Sequence, residues 1–95
     1  MARPWTEFPI HFVDFEGSLG SGVLEYGVAT LQAGTIVATQ GRLCAATGHI
    51  AIEDREVHGL AAADVAGWPP FEDEWEVFAR LRETGPLAAH FAGPR

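Results

Sequence analysis

A single amphipathic helix between two apolar segments constrains the fold more than any other feature of this sequence. Residues Phe71 to Arg82 follow two prolines, carry three acids in the first turn and end with two arginines, a polarity that complements the helix dipole. Gly85-Pro86 stops this helix, and Pro86 to Ala92 then predicts a strand. A helix between strands favours parallel pairing. The apolar residues at helical spacing predict a stripe that packs on a sheet: Phe71, Trp75, Phe78 and Leu81.

Three further strands are predicted upstream of the helix. Aromatic and β-branched residues mark each one, and the segments between them are rich in Gly and Ser. The short connections favour an antiparallel meander. The predicted strands are Pro9 to Phe15, Val23 to Leu31, and Thr35 to Gln40 with an extension to Leu43; the predicted turns are Glu16 to Gly22 and Ala33-Gly34.

The segment between the third strand and the long helix gives weaker signals. We expect an irregular stretch from Ala45 to Glu56, then a short helix from Ala61 to Ala66. The coarse order is therefore β-β-β-α-β, an α/β fold in which a three-stranded antiparallel meander precedes a helix and a fourth strand parallel to the first. Residues 1–95 are expected to form one domain, because the chain has 95 residues and shows no internal repeat.

Composition excludes some classes of protein. No apolar run approaches the roughly 20 residues that cross a bilayer, so no membrane partner is expected. The single Cys44 cannot form an internal disulfide, which favours a cytoplasmic location. The net charge of −7, with six Arg and no Lys, argues against a long duplex-binding surface. The same charge is compatible with carboxylates that bind phosphate through metal ions.

Two carboxylates on the first predicted strand carry the candidate chemistry. Asp14 and Glu16 are two residues apart, so both side chains should lie on the same face, with Val13 and Phe15 on the other. Acids at the end of a buried strand are costly unless a cation neutralises them, and Mg²⁺ or Mn²⁺ prefers oxygen ligands. Two alternatives remain open from the spacing alone: a solvated acidic pair, or a carboxylate that caps the following turn.

Four segments in order resemble the DEDD (DnaQ-like) family of 3′–5′ exonucleases, which have a ribonuclease H-like fold. Phe12-Val13-Asp14-Phe15-Glu16-Gly17-Ser18 resembles the first exonuclease motif, and Leu24-Glu25-Tyr26-Gly27-Val28 its second strand. Val57-His58-Gly59-Leu60 resembles the Val-His-Gly-Ile segment of the family. Pro70-Phe71 before the helix, followed by Gly85-Pro86-Leu87-Ala88-Ala89-His90-Phe91-Ala92, resembles the lead-in to the second motif.

The resemblance implies a site and a substrate. Asp14 and Glu16 would be catalytic metal ligands for two Mg²⁺ or Mn²⁺ ions that hydrolyse phosphodiester bonds at the 3′ end of single-stranded DNA or RNA. It also implies that five residues contact the terminal nucleotide: Gly17, Ser18, His58, Gly59 and Leu60.

The chain also departs from the family pattern. Arg95 aligns with the acid of the second motif, Pro94 stands where an aromatic residue is usual, and Phe91 stands where Asn is usual. The third motif, with its general-base His and final Asp, has no counterpart. The resemblance therefore implies the N-terminal half of an exonuclease domain, with little or no activity in this chain and with self-association or a complementing C-terminal half as partner. The alternative is a catalytically degenerate interaction module with the same fold.

Overall fold

Four strands and three α-helices make up the part of the chain that the computed structural model describes, residues 8–92, of which residues 90–92 are described by their backbone. None of the helices in that part has the length and apolar composition needed to cross a bilayer. The elements are β1 (Ile10–Ser18), β2 (Gly22–Gln32), β3 (Thr35–Leu43), α1 (Ile52–His58), α2 (Ala62–Val65), a 3₁₀ turn (Phe71–Glu74), α3 (Trp75–Thr84) and β4 (Leu87–Ala92).

The strands form one sheet in the order β3-β2-β1-β4. β1 pairs antiparallel with β2 and parallel with β4, and β2 pairs antiparallel with β3. The predicted meander and the parallel fourth strand are thus confirmed. The β2–β3 turn is at Ala33 and Gly34, with φ of 53° and 80°. Positive φ at both central residues is the turn geometry that matches the twist of a hairpin.

One face of the sheet carries the core. Val13, Tyr26 and Val28 are buried on this face together with Cys44. The 3₁₀ turn and α3 form a helical layer over this face, and its Phe71 and Phe78 rings pack against the buried residues. The ring of Phe71 lies 5.5 Å from that of Phe15 and 5.4 Å from that of Phe78. These edge-to-face contacts stabilise the helix on the sheet beyond the area that they bury.

A second cluster extends the core toward the β1–β2 hairpin. Leu24 is fully buried there against Ile50 and Val65, which come from the long connection and from α2. Since these three residues are far apart in the sequence, this contact fixes the path of the connection between β3 and the helical layer.

A polar hub joins the start of the helical layer to β2 and β3. The Tyr26 hydroxyl donates a hydrogen bond to Glu74, and the Arg42 guanidinium lies 3.0 Å from the other oxygen of the same carboxylate. Arg42 also donates to the carbonyl oxygens of Pro69 and Pro70 at 2.8 and 3.2 Å. The hub therefore anchors the segment that leads into α3.

Burial and hydrogen bonding in the hub shift the pKa values of Tyr26 and Glu74 in opposite directions. The hydrogen bonds from Tyr26 and then from Arg42 lower the pKa of the Glu74 carboxyl below its ordinary value. Burial, reinforced by the hydrogen bond to Glu74, raises the pKa of Tyr26 to about 12. Both shifts favour the neutral tyrosine and the charged carboxylate that the hub requires.

His11 links the other end of the helical layer to the sheet. Its ring is buried, with Nδ1 2.8 Å from Thr30 Oγ1 and Nε2 2.7 Å from Thr84 Oγ1. Thr84 Oγ1 donates to the Leu81 carbonyl, so Nε2 must donate to Thr84 and Nδ1 must accept from Thr30 in the neutral ring. A buried histidine with both nitrogens paired acts here as a structural residue.

Three local predictions were wrong. The stretch from Ala45 to Glu56 is not irregular throughout, because α1 begins at Ile52. This helix has acids in its first turn but buries none of its residues. The sequence therefore shows no apolar stripe that would predict it. The predicted helix from Phe71 begins instead with a 3₁₀ turn. This turn changes the angular spacing, and Trp75 is 77% exposed instead of joining the stripe.

The third wrong prediction concerns the end of β1. The strand continues through Glu16, Gly17 and Ser18, which the sequence placed in a turn, and a bulge between Glu16 and Gly17 shifts the register there. The connection to β2 is therefore a tight hairpin that begins after Ser18 and ends at Gly22, shorter than the predicted turn.

Leu24→Ala should destabilise the fold by about 2 to 5 kcal/mol, because it leaves a cavity at a fully buried position. Urea unfolding followed by circular dichroism measures this loss. Leu19→Ala is the matched control, since Leu19 is fully exposed and the same truncation should change stability little. Equal losses in the two variants would contradict the described core.

Glu74→Gln should lower the free energy of unfolding at neutral pH by about 1 to 3 kcal/mol, because Arg42 then faces a neutral acceptor. The pKa of Glu74 is lowered in the folded state, so its contribution is present above the unfolded pKa and is lost as the pH falls through the folded pKa. The wild type should therefore lose more stability than Glu74→Gln between neutral pH and strongly acidic pH. Asp73→Asn, at the exposed neighbouring acid, should keep the wild-type pH dependence.

Candidate metal and nucleotide site

The two carboxylates of β1 lie on the face of the sheet opposite the core. Val13, which precedes Asp14 in the sequence, is 3% exposed and belongs to the core, whereas Asp14 is exposed. The register with β2 runs without a shift from Ile10 to Glu16, so the alternation of faces holds at Asp14 and Glu16. The prediction that both carboxylates share a face agrees with this register.

Glu16 differs from Asp14 in its surroundings. Its Oε2 atom is buried and has no hydrogen-bond partner among the described residues. A buried carboxylate oxygen without a partner loses its hydration and gains nothing in exchange. Among residues 8–92, arginine ion pairs involve Glu74 and Glu76 and neither of these two acids. The arrangement of an oxygen donor beside a second carboxylate suits a hard divalent cation.

A third carboxylate lies on the same face, and the sequence did not identify it as a site residue. Glu25 of β2 is directly opposite Glu16 in the β1–β2 register and is exposed. Two like charges directly opposite each other on neighbouring strands are destabilising. The signal that could have identified Glu25 was the hairpin register, which depends on the bulge after Glu16. Within residues 8–92 no group of three acidic, His or Cys side chains has the geometry of a metal site.

Gly17 and Ser18 make the hairpin that follows the carboxylates. Gly17 has φ of 147°, and a Cβ there would lie 2.2 Å from the carbonyl oxygen of Gly22. Ser18 is 8% exposed, and its hydroxyl lies 3.1 Å from that of Ser21. Each of these hydroxyls also accepts the backbone N–H of the other serine.

The two serines, and not a carboxylate, therefore satisfy the backbone of the turn. Ser21 is fully buried and was not singled out from the sequence, because a local hydrogen-bond network leaves no periodic signal. The small size of Gly17 has a structural reason of its own, namely the close approach of the two strands at Gly22.

His58 is the last residue of α1, which lies against β1, and Gly59 and Leu60 follow it. Gly59 caps the helix with φ of 72°, and its N–H donates to the Arg55 carbonyl at 2.7 Å. The N–H of Leu60 donates to His58 Nδ1 at 2.9 Å, so the proton of the neutral ring is on Nε2. That Nε2 atom is buried and has no partner among the described residues. The Leu60 side chain packs against the second core cluster.

The open face also carries apolar surface. A cavity of about 290 Å³ is lined by Phe12, Val13, Asp14, Ala88 and Ala89, and Phe12 is 46% exposed. β4 brings the backbone of His90 beside Asp14 and that of Ala92 beside Glu16. The side chain of Phe91 and the residues Pro94 and Arg95, which depart from the family pattern, lie outside the described part.

Cys44 is a free cysteine and is buried in the core. Burial raises the pKa of its thiol, which disfavours the nucleophilic thiolate. The thiol is therefore a core group and not a candidate nucleophile.

A comparison with solved structures finds the same fold in exonuclease X, described in complex with 5′ overhanging duplex DNA. The two structures superpose with a TM-score of 0.66 at 21% sequence identity, over 86% of this chain and 57% of that chain. This chain thus spans a little over half the length of that structure. No protein-family model matches the sequence, and no curated protein matches it significantly. The chain has the fold of one part of exonuclease X, a partial ribonuclease H-like fold.

Proposed function

We propose that this chain is the N-terminal part of a divalent-metal-dependent 3′–5′ exonuclease domain that acts on single-stranded DNA or RNA ends. The observation that carries the proposal is the buried, unpartnered Oε2 of Glu16 beside the exposed Asp14 on the open face of the sheet. The fold shared with exonuclease X supports the proposal. A cytoplasmic location stays a prediction from the single cysteine.

The chemistry of the donors fits Mg²⁺ or Mn²⁺. Asp14 offers a carboxylate open to solvent, and Glu16 offers an oxygen that is already desolvated and lacks a partner. Both ligands lie on a strand that is hydrogen-bonded on two sides, so their backbone spacing is fixed. Two bound ions would activate the attacking water and stabilise the leaving 3′ oxygen.

Other residues of the chain would position the strand end. The Nε2–H of His58 is a desolvated donor, and a phosphate oxygen or a base edge could accept its hydrogen bond. Gly17 and Ser18 directly follow Glu16 and would lie nearest to the terminal nucleotide, but both are buried in the hairpin, where they hold its backbone in place. Gly59 and Leu60 would border the same nucleotide.

The face of the sheet opposite the core is uncovered, which favours a partner that binds there. Phe12 and the cavity beside it leave apolar surface exposed next to the carboxylates. We propose that a complementing C-terminal half covers this face and supplies the general base and the two acids that this chain lacks. This chain by itself would then have little or no activity. Self-association and a degenerate, purely binding role are the competing proposals for the same uncovered surface.

Mn²⁺ binding to the chain should depend on Asp14. We expect weak binding by the wild type and at least about a tenfold lower affinity for Asp14→Asn, which removes one anionic ligand and keeps the shape of the side chain. Titration calorimetry measures this affinity. Asp73→Asn, at an exposed acid of the 3₁₀ turn, is the matched control and should bind like the wild type. Unchanged binding by the double variant Asp14→Asn, Glu16→Gln would contradict a metal site on β1.

A form extended by the downstream half should release nucleotides from the 3′ end of a 5′-labelled single-stranded oligonucleotide when Mg²⁺ or Mn²⁺ is present. Asp14→Ala should reduce the rate by at least about a hundredfold, because a metal ligand is lost. A gel ladder that shortens from the 3′ end measures both rate and direction. The exonuclease proposal would be wrong if the extended form without both Asp14 and Glu16 digested as fast as its parent.

A further inference from the structure

β3 is an unprotected edge strand. It pairs with β2 on one side, and within residues 8–92 no strand pairs with its other side. Its first seven residues, Thr35 to Gly41, are all exposed, so neither face of this stretch is covered by the helical layer or by a loop. The outer edge therefore presents unpaired backbone N–H and C=O groups to solvent.

The side chains of this stretch do little to discourage pairing. Thr35 to Gly41 contains no charged residue and no proline, the two kinds of residue that most often block an edge. Ile36 and Val37 are 61% and 56% exposed and are β-branched, which suits a pleated surface. A register shift beside Val37 is the one protective irregularity, and the register from Ala38 to Leu43 is regular.

Charge distinguishes this edge from the rest of the molecule. The chain carries a net charge of −7, so two copies repel each other over most of their surfaces. The one charged side chain of β3, Arg42, is neutralised by Glu74 within the polar hub. A two-fold contact between two β3 strands therefore places no like charges opposite each other, whatever the register within Thr35 to Gly41.

We propose that two copies of this chain pair through the outer edges of β3, antiparallel and about a two-fold axis, to form a continuous eight-stranded sheet. An antiparallel pair of identical strands satisfies the two-fold symmetry of a closed dimer. The new backbone hydrogen bonds satisfy the free edge, and the neighbouring strand covers Ile36 and Val37. β2 and β1 separate this edge from Asp14, so the contact is independent of the proposed nuclease function.

Sedimentation equilibrium from roughly 10 µM to about 1 mM tests the dimer, since an interface of one strand pair is expected to be weak. The wild type should change from monomer toward dimer within this range. Val37→Lys brings a positive charge to each edge and should weaken association at least about tenfold. Leu19→Lys makes the same charge change at the fully exposed tip of the β1–β2 hairpin and should dimerise within about twofold of the wild type.

Amide hydrogen exchange identifies the strand. Raising the concentration should slow exchange at amides of Thr35 to Gly41 in the wild type, and no such slowing should occur in Val37→Lys. Thermal unfolding checks that Val37→Lys is folded, as expected at a half-exposed position. A wild type that stays monomeric at the highest concentration, a dimer that survives in Val37→Lys, or a dimer lost in Leu19→Lys would each overturn the proposal.

Discussion

The hydrogen bonding of β1 on both of its sides determines the rest of this structure. β1 pairs antiparallel with β2 and parallel with β4, so its backbone is fixed along nearly its whole length. A strand held in this way alternates its side chains strictly between two faces. Val13 and Phe15 therefore face the helical layer, and Asp14 and Glu16 face the opposite side. The same constraint thus produces the core and separates the acids from it.

The two faces of the sheet differ in how they are covered. The helical layer covers one face with aromatic side chains and is fastened at both ends by polar contacts, through Glu74 at its start and Thr84 at its end. The other face keeps the half-exposed Phe12 and the unpartnered oxygen of Glu16. This apolar surface and the desolvated acceptor beside it are the observations on which the proposed metal site and the proposed covering partner depend.

Sequence patterns predicted the sheet better than they predicted the helices. The antiparallel meander followed from the short connections, and the parallel β4 followed from the helix between two apolar segments. The shared face of Asp14 and Glu16 followed from period-two alternation. Trp75 was misplaced because a 3₁₀ turn shifted the helical phase, and α1 was missed because it buries none of its residues. The pairing of Arg42 with Glu74 joins residues far apart in the sequence, and no local pattern indicates it.

The candidate site was predicted only in part, for related reasons. Asp14 and Glu16 became candidates because their type and spacing suit a cation and because the segment around them resembles an exonuclease motif, whereas the spacing alone left other interpretations open. Glu25 was not identified, because its position opposite Glu16 depends on a bulge that no residue pattern predicts. The hydrogen bonding of Ser18 with Ser21 and the fixed tautomer of His58 depend on the orientation of individual side chains, which a sequence does not specify.

Paramagnetic broadening by Mn²⁺ tests the central claim, that the carboxylates on the open face of β1 bind divalent cations. Substoichiometric Mn²⁺ added to the isotopically labelled chain should selectively broaden the amide signals of Asp14 to Ser18, whereas the amides at the β2–β3 turn should keep their intensity. Excess Mg²⁺ should reverse the broadening. Broadening that instead follows the exposed acids Glu72 and Asp73, or that spreads evenly over the molecule, would contradict the account.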